Sequence, residues 1–179
     1  MNEPWHPTVV PAVVAFRHLL AENRRLHLWS QHVEVFAEDL RIHLKAVLAL
    51  EAGSSNEHEA AAALFDWEGP SSHLSSGEEA DDRGLTVRLA FEDRVLVSGA
   101  KRNRDDDIDV RVASRGGGAL SQHLYYAEYS IWILGTALLP SSASISFEWP
   151  YFELASAQVL MLPIDAVKDA EEIEVQLNG

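Results

Sequence analysis

The sequence predicts a mainly β domain, an antiparallel β-sandwich or open barrel with one or two short helices. Three observations predict this class. Apolar residues recur at every second position through most of the chain, the period of a strand whose two faces differ. Clusters of glycine, proline and serine separate roughly eight such segments. The chain of 179 residues, 47% of them hydrophobic, is long enough for the core of one domain spanning residues 1–179.

The first part of the chain contains the clearest alternation. β-branched residues between Val9 and Leu20 favour a strand, although Pro11 would also suit the first turn of a helix. Apolar residues then alternate with polar ones from Leu26, and again from Leu40 to Leu50. A polar turn separates these two segments, so they are predicted to form a hairpin.

A long insertion is predicted at about residues 51–83, and loops of this length in compact domains are either disordered or functional; a mobile insertion is expected here. Glycine and serine residues bracket an alanine-rich piece from Glu57 to Phe65. Asn56 and Glu59 have the spacing of a capping box, so this piece is predicted to form a short helix.

Strand character returns at Leu85–Phe91 and again around Val95. Residues 101–109 are predicted to form a charged loop, and residues 108–112 a short edge strand. The triple glycine at residues 116–118 predicts a flexible turn or a close approach of another backbone, ahead of one long aromatic strand from Leu120 to Leu134.

The last part of the chain predicts two more strands and a helix. Ile145, Phe147 and Trp149 alternate with polar residues, so Trp149 is expected to be buried, with Pro150 ending the strand. The apolar run 159–162 suits a central strand. Asp165 is predicted to cap a final helix through residues 166–172.

Composition restricts the function. Asp and Glu number 28 against 14 Lys and Arg, a net charge of -14, which disfavours nucleic acid and anionic membranes. The chain has no cysteine, which excludes disulfides and thiol catalysis. Because the N-terminus lacks the features of a signal peptide and apolar runs are too short to span a membrane, a cytoplasmic, soluble protein is expected.

Four segments resemble a family of uncharacterised actinobacterial proteins. They are Val10-Pro11-Ala12, Val33 to Leu44, Gly116-Gly117-Gly118, and Glu148-Trp149-Pro150 followed by residues 159–170. The sequence departs from the family pattern in its short glycine run, and in Trp132-Ile133-Leu134, where the family has Trp-Pro-Leu-Pro. The resemblance implies the architecture and carries no activity.

Metal and catalytic patterns are incomplete. Asp105, Asp107 and Asp109 have the spacing of a calcium loop, but the glycine and glutamate that an EF-hand requires are replaced by Val110 and Gly116. A solvated acidic loop is therefore expected.

Histidines and glutamates offer weaker candidates. His27, His32 and His43 lie in neighbouring predicted strands, but His27 and His32 have opposite strand parity, which argues against a zinc site. Glu128 and Glu148 could pair as in a hydrolase, although outward-facing charges are expected of both. No catalytic residue, metal or cofactor is therefore predicted.

The leading functional hypothesis is a non-catalytic acidic interaction protein, such as an immunity-type or accessory factor, that binds a basic protein partner. The alternative is a small-molecule-binding or hydrolytic β-sandwich that uses a carboxylate or histidine site. Aromatic residues near the C-terminus could pack in the core or form a binding surface. The partner-binding candidates are Asp105, Asp106, Asp107, Asp109, Tyr125, Tyr129 and Trp132. A second acidic cluster contains Glu78, Glu79, Asp81 and Asp82.

Overall fold

The computed structural model describes residues 9–36, 38–50, 85–98, 107–150, 154, 159–169 and 173–174. This part of the chain is mainly β, with two principal antiparallel sheets that do not close into a barrel. The predicted fold class is therefore confirmed. The proposed insertion at residues 51–83, with its helix, lies outside the described residues.

Twelve strands are described, with one short α-helix and one 3₁₀ turn. The strands are β1 Val9–Val10, β2 Ala12–Ala15, β3 Leu19–Glu22, β4 Leu26–Val35, β5 Asp39–Ala49, β6 Thr86–Phe91, β7 Arg94–Val97, β8 Asp109–Ser121, β9 Leu124–Leu134, β10 Ser144–Glu148, β11 Val159–Met161 and β12 Ile173–Glu174. The 3₁₀ turn is Thr136–Leu138 and the helix, α1, is Ile164–Lys168.

The larger sheet has the order β2-β4-β5-β9-β8, and β3 also pairs with β4. The smaller sheet has the order β11-β10-β6-β7, and β1 pairs separately with β12. The hairpin predicted around residues 35–40 is formed by β4 and β5, and the strand interpretation of the N-terminal segment is confirmed by β1 to β3.

One hydrophobic core contains buried residues from both principal sheets. The face of the larger sheet that contributes to this core is its inner face, and the opposite face is called its outer face below. Trp149 is fully buried at 0% exposure, as predicted, and its ring meets Tyr129 of β9 edge to face at 5.7 Å. This contact joins the end of β10 to the larger sheet.

The glycine run does not form the predicted turn. Gly116–Gly118 lie inside β8, and the chain turns later, between Ser121 and Leu124, so the long strand predicted from Leu120 to Leu134 is present but begins at Leu124. A Cβ atom on Gly117 would lie 2.7 Å from the Tyr126 carbonyl oxygen and 3.0 Å from the Tyr125 ring. Glycine is therefore required here because the neighbouring strand and ring come close to the backbone.

The final helix also differs from the prediction. Helix α1 begins after Pro163, so Asp165 lies in its first turn and is not the cap. The Asp165 carboxylate instead accepts a hydrogen bond from the Ser141 hydroxyl. None of the helices in the described ranges is long and apolar enough to cross a membrane.

Candidate functional site

A β-bulge in β4 determines which side chains share the outer face of the larger sheet. Ser30 pairs with Leu44, whereas His32 pairs with His43, so β4 contains one extra residue, Gln31, at this point. The extra residue reverses the alternation, and His27 and His32 consequently lie on the same face. The prediction of opposite parity for these two histidines was therefore wrong, because it assumed an unbroken strand.

Ser30 anchors the bulge from the inner side. Its buried hydroxyl donates to the Phe16 carbonyl and accepts from the His18 amide at 3.0 Å. The Ser30 amide also donates to the His18 carbonyl at 2.9 Å. These three bonds hold β4 against the segment between β2 and β3, so the bulge is supported by satisfied polar groups.

The outer face presents a group that we call the histidine–glutamate cluster, formed by His32, Glu34 and His43. One ligand atom from each lies within 4.8 Å of the others. The two imidazoles stack, with centroids 4.3 Å apart and planes inclined by 19°. The Nε2 atoms of His43 and His32 lie 3.1 Å and 3.9 Å from the Glu34 carboxylate. Two imidazoles and one carboxylate therefore converge on a shared position.

Arg41 neutralises the carboxylate of the cluster. It lies opposite Glu34 in the β4–β5 register, donates from Nε to Glu34 Oε2 at 2.6 Å and also contacts that oxygen through Nη2. Its guanidinium carbon lies 4.8 Å from the ring centroid of Trp132 on β9. The Trp132 ring also stacks with Phe36 at 5.4 Å. Arg41 thus links the cluster to an aromatic pair.

The surroundings favour a neutral imidazole beside an ionised carboxylate. Burial lowers the pKa of His43; the neighbouring Glu34 carboxylate opposes this by raising it, the charges of His32 and Arg41 lower it further, and the net result is a pKa below the usual value. Burial alone would raise the pKa of Glu34, but its contacts with His43 and Arg41 lower it below its usual value. Neutral histidine and ionised glutamate are the forms that bind metal ions.

Three buried polar atoms on this face have no hydrogen-bond partner in the described part of the chain: His43 Nε2, Ser130 Oγ and Trp132 Nε1. The His43 atom is close to Glu34, but the angle is poor for a hydrogen bond, so we regard the contact as electrostatic. Ser130 lies opposite His43 in the register, and Trp132 lies opposite Arg41. Unsatisfied atoms are rare in protein interiors, so these three atoms are unused hydrogen-bonding groups beside the cluster that a bound molecule could engage.

The sequence-predicted aromatic candidates separate into two groups. Tyr125 and Tyr129 are buried on the inner face, where they contribute to the core and present little surface to a partner. Trp132 is on the outer face but is only 3% exposed. Sequence analysis left core and surface open for this set, and the structure favours the core for the two tyrosines.

The acidic candidates are only partly described. Asp105 and Asp106 lie outside the described residues. Asp107 is exposed, and Asp109 accepts from Arg111 at 2.7 Å.

The two glutamates considered for a hydrolase are not brought together. Glu128 pairs with Lys45 at 3.0 Å on the larger sheet, while Glu148 pairs with Arg88 at 2.9 Å on the smaller one. Each carboxylate thus has a cation of its own in a different sheet, and a shared catalytic position is not formed.

Sequence reasoning considered two residues of the cluster, His32 and His43, but missed Glu34 and Arg41. The available signal was the spacing: His32 and Glu34 are two residues apart on one strand, as are Arg41 and His43 on the next, and such pairs share a face. Comparison with protein-family models, curated proteins and solved structures found no match. The functional argument therefore depends on the geometry of the cluster.

Proposed function

We propose that the protein binds a divalent transition-metal ion through His32, Glu34 and His43. The observation that supports this proposal is the convergence of three ligand atoms within 4.8 Å on adjacent strands. Ligand atoms bound to one zinc ion at about 2.0–2.2 Å lie roughly 3–4 Å apart, so only small side-chain movements are required. Sequence analysis predicted no metal, so this proposal departs from it; it shares with the small-molecule-binding or hydrolytic alternative only the use of carboxylate and histidine side chains.

The donor set selects the class of ion. Imidazole nitrogen suits zinc, iron, copper and nickel, whereas calcium and magnesium prefer oxygen ligands alone. Two histidines and one glutamate also form the ligand set of open zinc and non-haem iron sites, which leave coordination positions for another molecule. A three-ligand site of this kind can bind or activate a small molecule, whereas a purely structural zinc site has four protein ligands.

Arg41 is the feature that opposes this proposal, because a guanidinium on the carboxylate repels a cation. Its position nevertheless gives it a second place to interact, since it already lies 4.8 Å from the Trp132 ring. A metal ion that competes for Glu34 can therefore displace Arg41 from the carboxylate, because the guanidinium keeps its cation–π contact with the Trp132 ring. In the absence of the ion, Arg41 compensates the charge of Glu34.

Zinc titration of the full-length, metal-free protein tests this proposal by calorimetry. We expect one tight site in the wild type and a loss of affinity of more than about tenfold in His43→Ala and in Glu34→Gln. His27→Ala is the matched control, because His27 lies on the same strand and face but pairs with Glu22, at 3.7 Å. Equal zinc affinity in the wild type and His43→Ala would overturn the proposal, and circular dichroism of each variant would verify its fold.

An acidic accessory protein that binds a basic partner is retained as an alternative proposal. It is supported by the net charge of -14. Of the four acidic residues proposed to bind the partner, Asp105 and Asp106 lie outside the described ranges, and Asp109 is paired with Arg111. The geometry of the described residues therefore gives more support to the metal site.

A further inference from the structure

We infer that the metal site takes a carboxylate-bearing small molecule, held beside the ion by Arg41, Ser130 and Trp132. This inference rests on the proposed metal function and names the class of ligand that occupies the open coordination positions. It starts from the charge and the unused hydrogen-bond donors around the cluster.

Once a metal ion is bound, the net charge of the site is positive, which favours binding of an anion. Glu34 is the one carboxylate of the cluster, and its single negative charge faces both the ion and Arg41. Both histidines are neutral as ligands, so a surplus of positive charge remains. The next acidic side chain on this face of β9, Glu128, is already paired with Lys45 at 3.0 Å. A surplus of charge at this partly buried cluster is costly unless a counter-charge is supplied, and a bound anion would supply it.

Two buried hydrogen-bond donors, Trp132 Nε1 and Ser130 Oγ, restrict the chemical group that can bind beside the metal ligands. Trp132 and Ser130 are 3% and 0% exposed, and neither Trp132 Nε1 nor Ser130 Oγ has a hydrogen-bond partner in the described part of the chain. Leaving such an atom unsatisfied costs roughly 1–3 kcal/mol. An indole N–H can only donate, so it selects an acceptor such as a carboxylate oxygen and rejects an amine or a second cation.

The register places these donors next to the metal ligands. Ser130 lies directly opposite His43, and Trp132 lies directly opposite Arg41. Side chains directly opposite each other in antiparallel strands have Cβ atoms about 4.5–5.5 Å apart. Ser130 is therefore next to a metal ligand, and Trp132 is next to Arg41, so a carboxylate that binds both the ion and Arg41 would lie beside both donors.

Arg41 couples the two ligands. It now contacts Glu34 Oε2, the same oxygen that lies 3.1 Å from His43 Nε2. A metal ion between Glu34 and His43 competes for that oxygen and frees the guanidinium, whose planar fork then matches a second carboxylate. Metal binding thus prepares the carboxylate site.

The probe for this coupling is acetate. Zinc affinity is measured by competition with a coloured chelator in acetate and in chloride at matched ionic strength, and the ratio of the two affinities is taken for each protein. We expect acetate to tighten zinc binding by about fivefold or more in the wild type, the usual lower range for coupled sites. The ratio should fall towards one in Trp132→Phe, which keeps the ring but removes the N–H, and in Ser130→Ala.

Trp29→Phe is the matched control, because Trp29 lies on the same face but opposite Lys45, and it should keep the wild-type ratio.

A wild-type ratio of one with tight zinc binding would overturn this inference and leave the proposed function intact. Absent zinc binding in both salts would overturn the proposed function itself. Sulfate is a third arm: tightening by sulfate and not by acetate would overturn the assignment to carboxylates. Ser130→Ala provides the decisive ratio if Trp132→Phe fails to fold.

Discussion

His32 and His43 lie directly opposite each other on β4 and β5, with their ring centroids 4.3 Å apart. This pairing depends on the single extra residue in β4. If β4 continued from Ser30 without a bulge, Gln31 would lie opposite His43, and His32 would lie opposite Ile42, a core residue. The bulge therefore creates the histidine pair and exposes it on the outer face.

Zinc should stabilise the folded protein. A ligand that binds only the folded state at 100 times its dissociation constant adds about 2.7 kcal/mol to the free energy of unfolding. We therefore expect the melting temperature, measured by differential scanning fluorimetry, to rise with zinc and to fall again with EDTA. Sequence analysis predicted no metal, which implies no change with EDTA, and an unaltered melting temperature over a saturating zinc titration would support that prediction instead.

Ser30→Ala should weaken both the fold and the metal site. The substitution leaves the Phe16 carbonyl and the His18 amide without their side-chain partner, at a cost of roughly 1–3 kcal/mol in the free energy of unfolding. Because Ser30 supports the bulge that aligns His32, zinc affinity should fall as well, although Ser30 does not lie on the outer face. Urea denaturation and zinc calorimetry measure the two effects, and a destabilised variant with wild-type zinc affinity would separate the bulge from the site.

Trp149→Ala should destabilise the protein by about 3–5 kcal/mol, as truncation of a large buried aromatic does. Trp149 is fully buried and its ring meets Tyr129 across the two sheets. Chemical denaturation of the variant and the wild type measures the loss. A loss below about 1 kcal/mol would mean that the core adjusts around the missing ring.

Gly135→Ala should be strongly destabilising. Gly135 has a φ of 76°, and a Cβ atom there would lie 2.2 Å from the Asp107 carbonyl oxygen. The backbone conformation alone costs about 1–2 kcal/mol for a residue with a side chain, and the clash adds to it. Gly118→Ala is the matched control, since its nearest neighbour, the Tyr126 ring, would be 3.9 Å from the added atom. Thermal melting compares the two variants, and equal losses would contradict this account.

Much of the fold could be predicted from the sequence because alternation identifies strands wherever one face is buried. The alternation from Leu40 to Leu50 predicted β5 closely, since every second residue of that strand enters the core. The role of the glycine run stayed open between a turn and a close backbone approach, because glycine suits both. Only the packing of the Tyr125 ring over Gly117 distinguishes the two.

The site could be predicted only in part. His32 and His43 were recognised as candidates, but the face on which His32 lies depends on the bulge. No residue type in β4 predicts a bulge at this position. Glu34 and Arg41 looked like ordinary solvent-facing charges, because the alternation gives the direction of a side chain and not its burial. In the structure both are largely covered, with side-chain exposures of 16% and 14%.

The proposed metal ligands and Arg41 all come from one uninterrupted stretch of the chain, from His32 to His43. Their backbone positions are fixed by the pairing of two neighbouring strands, and the inner faces of the same strands carry ordinary aliphatic residues. A protein lineage could therefore acquire or lose the ligands by a few substitutions in a single hairpin. The same segment could be grafted onto another antiparallel sheet that accepts a bulge at the equivalent position.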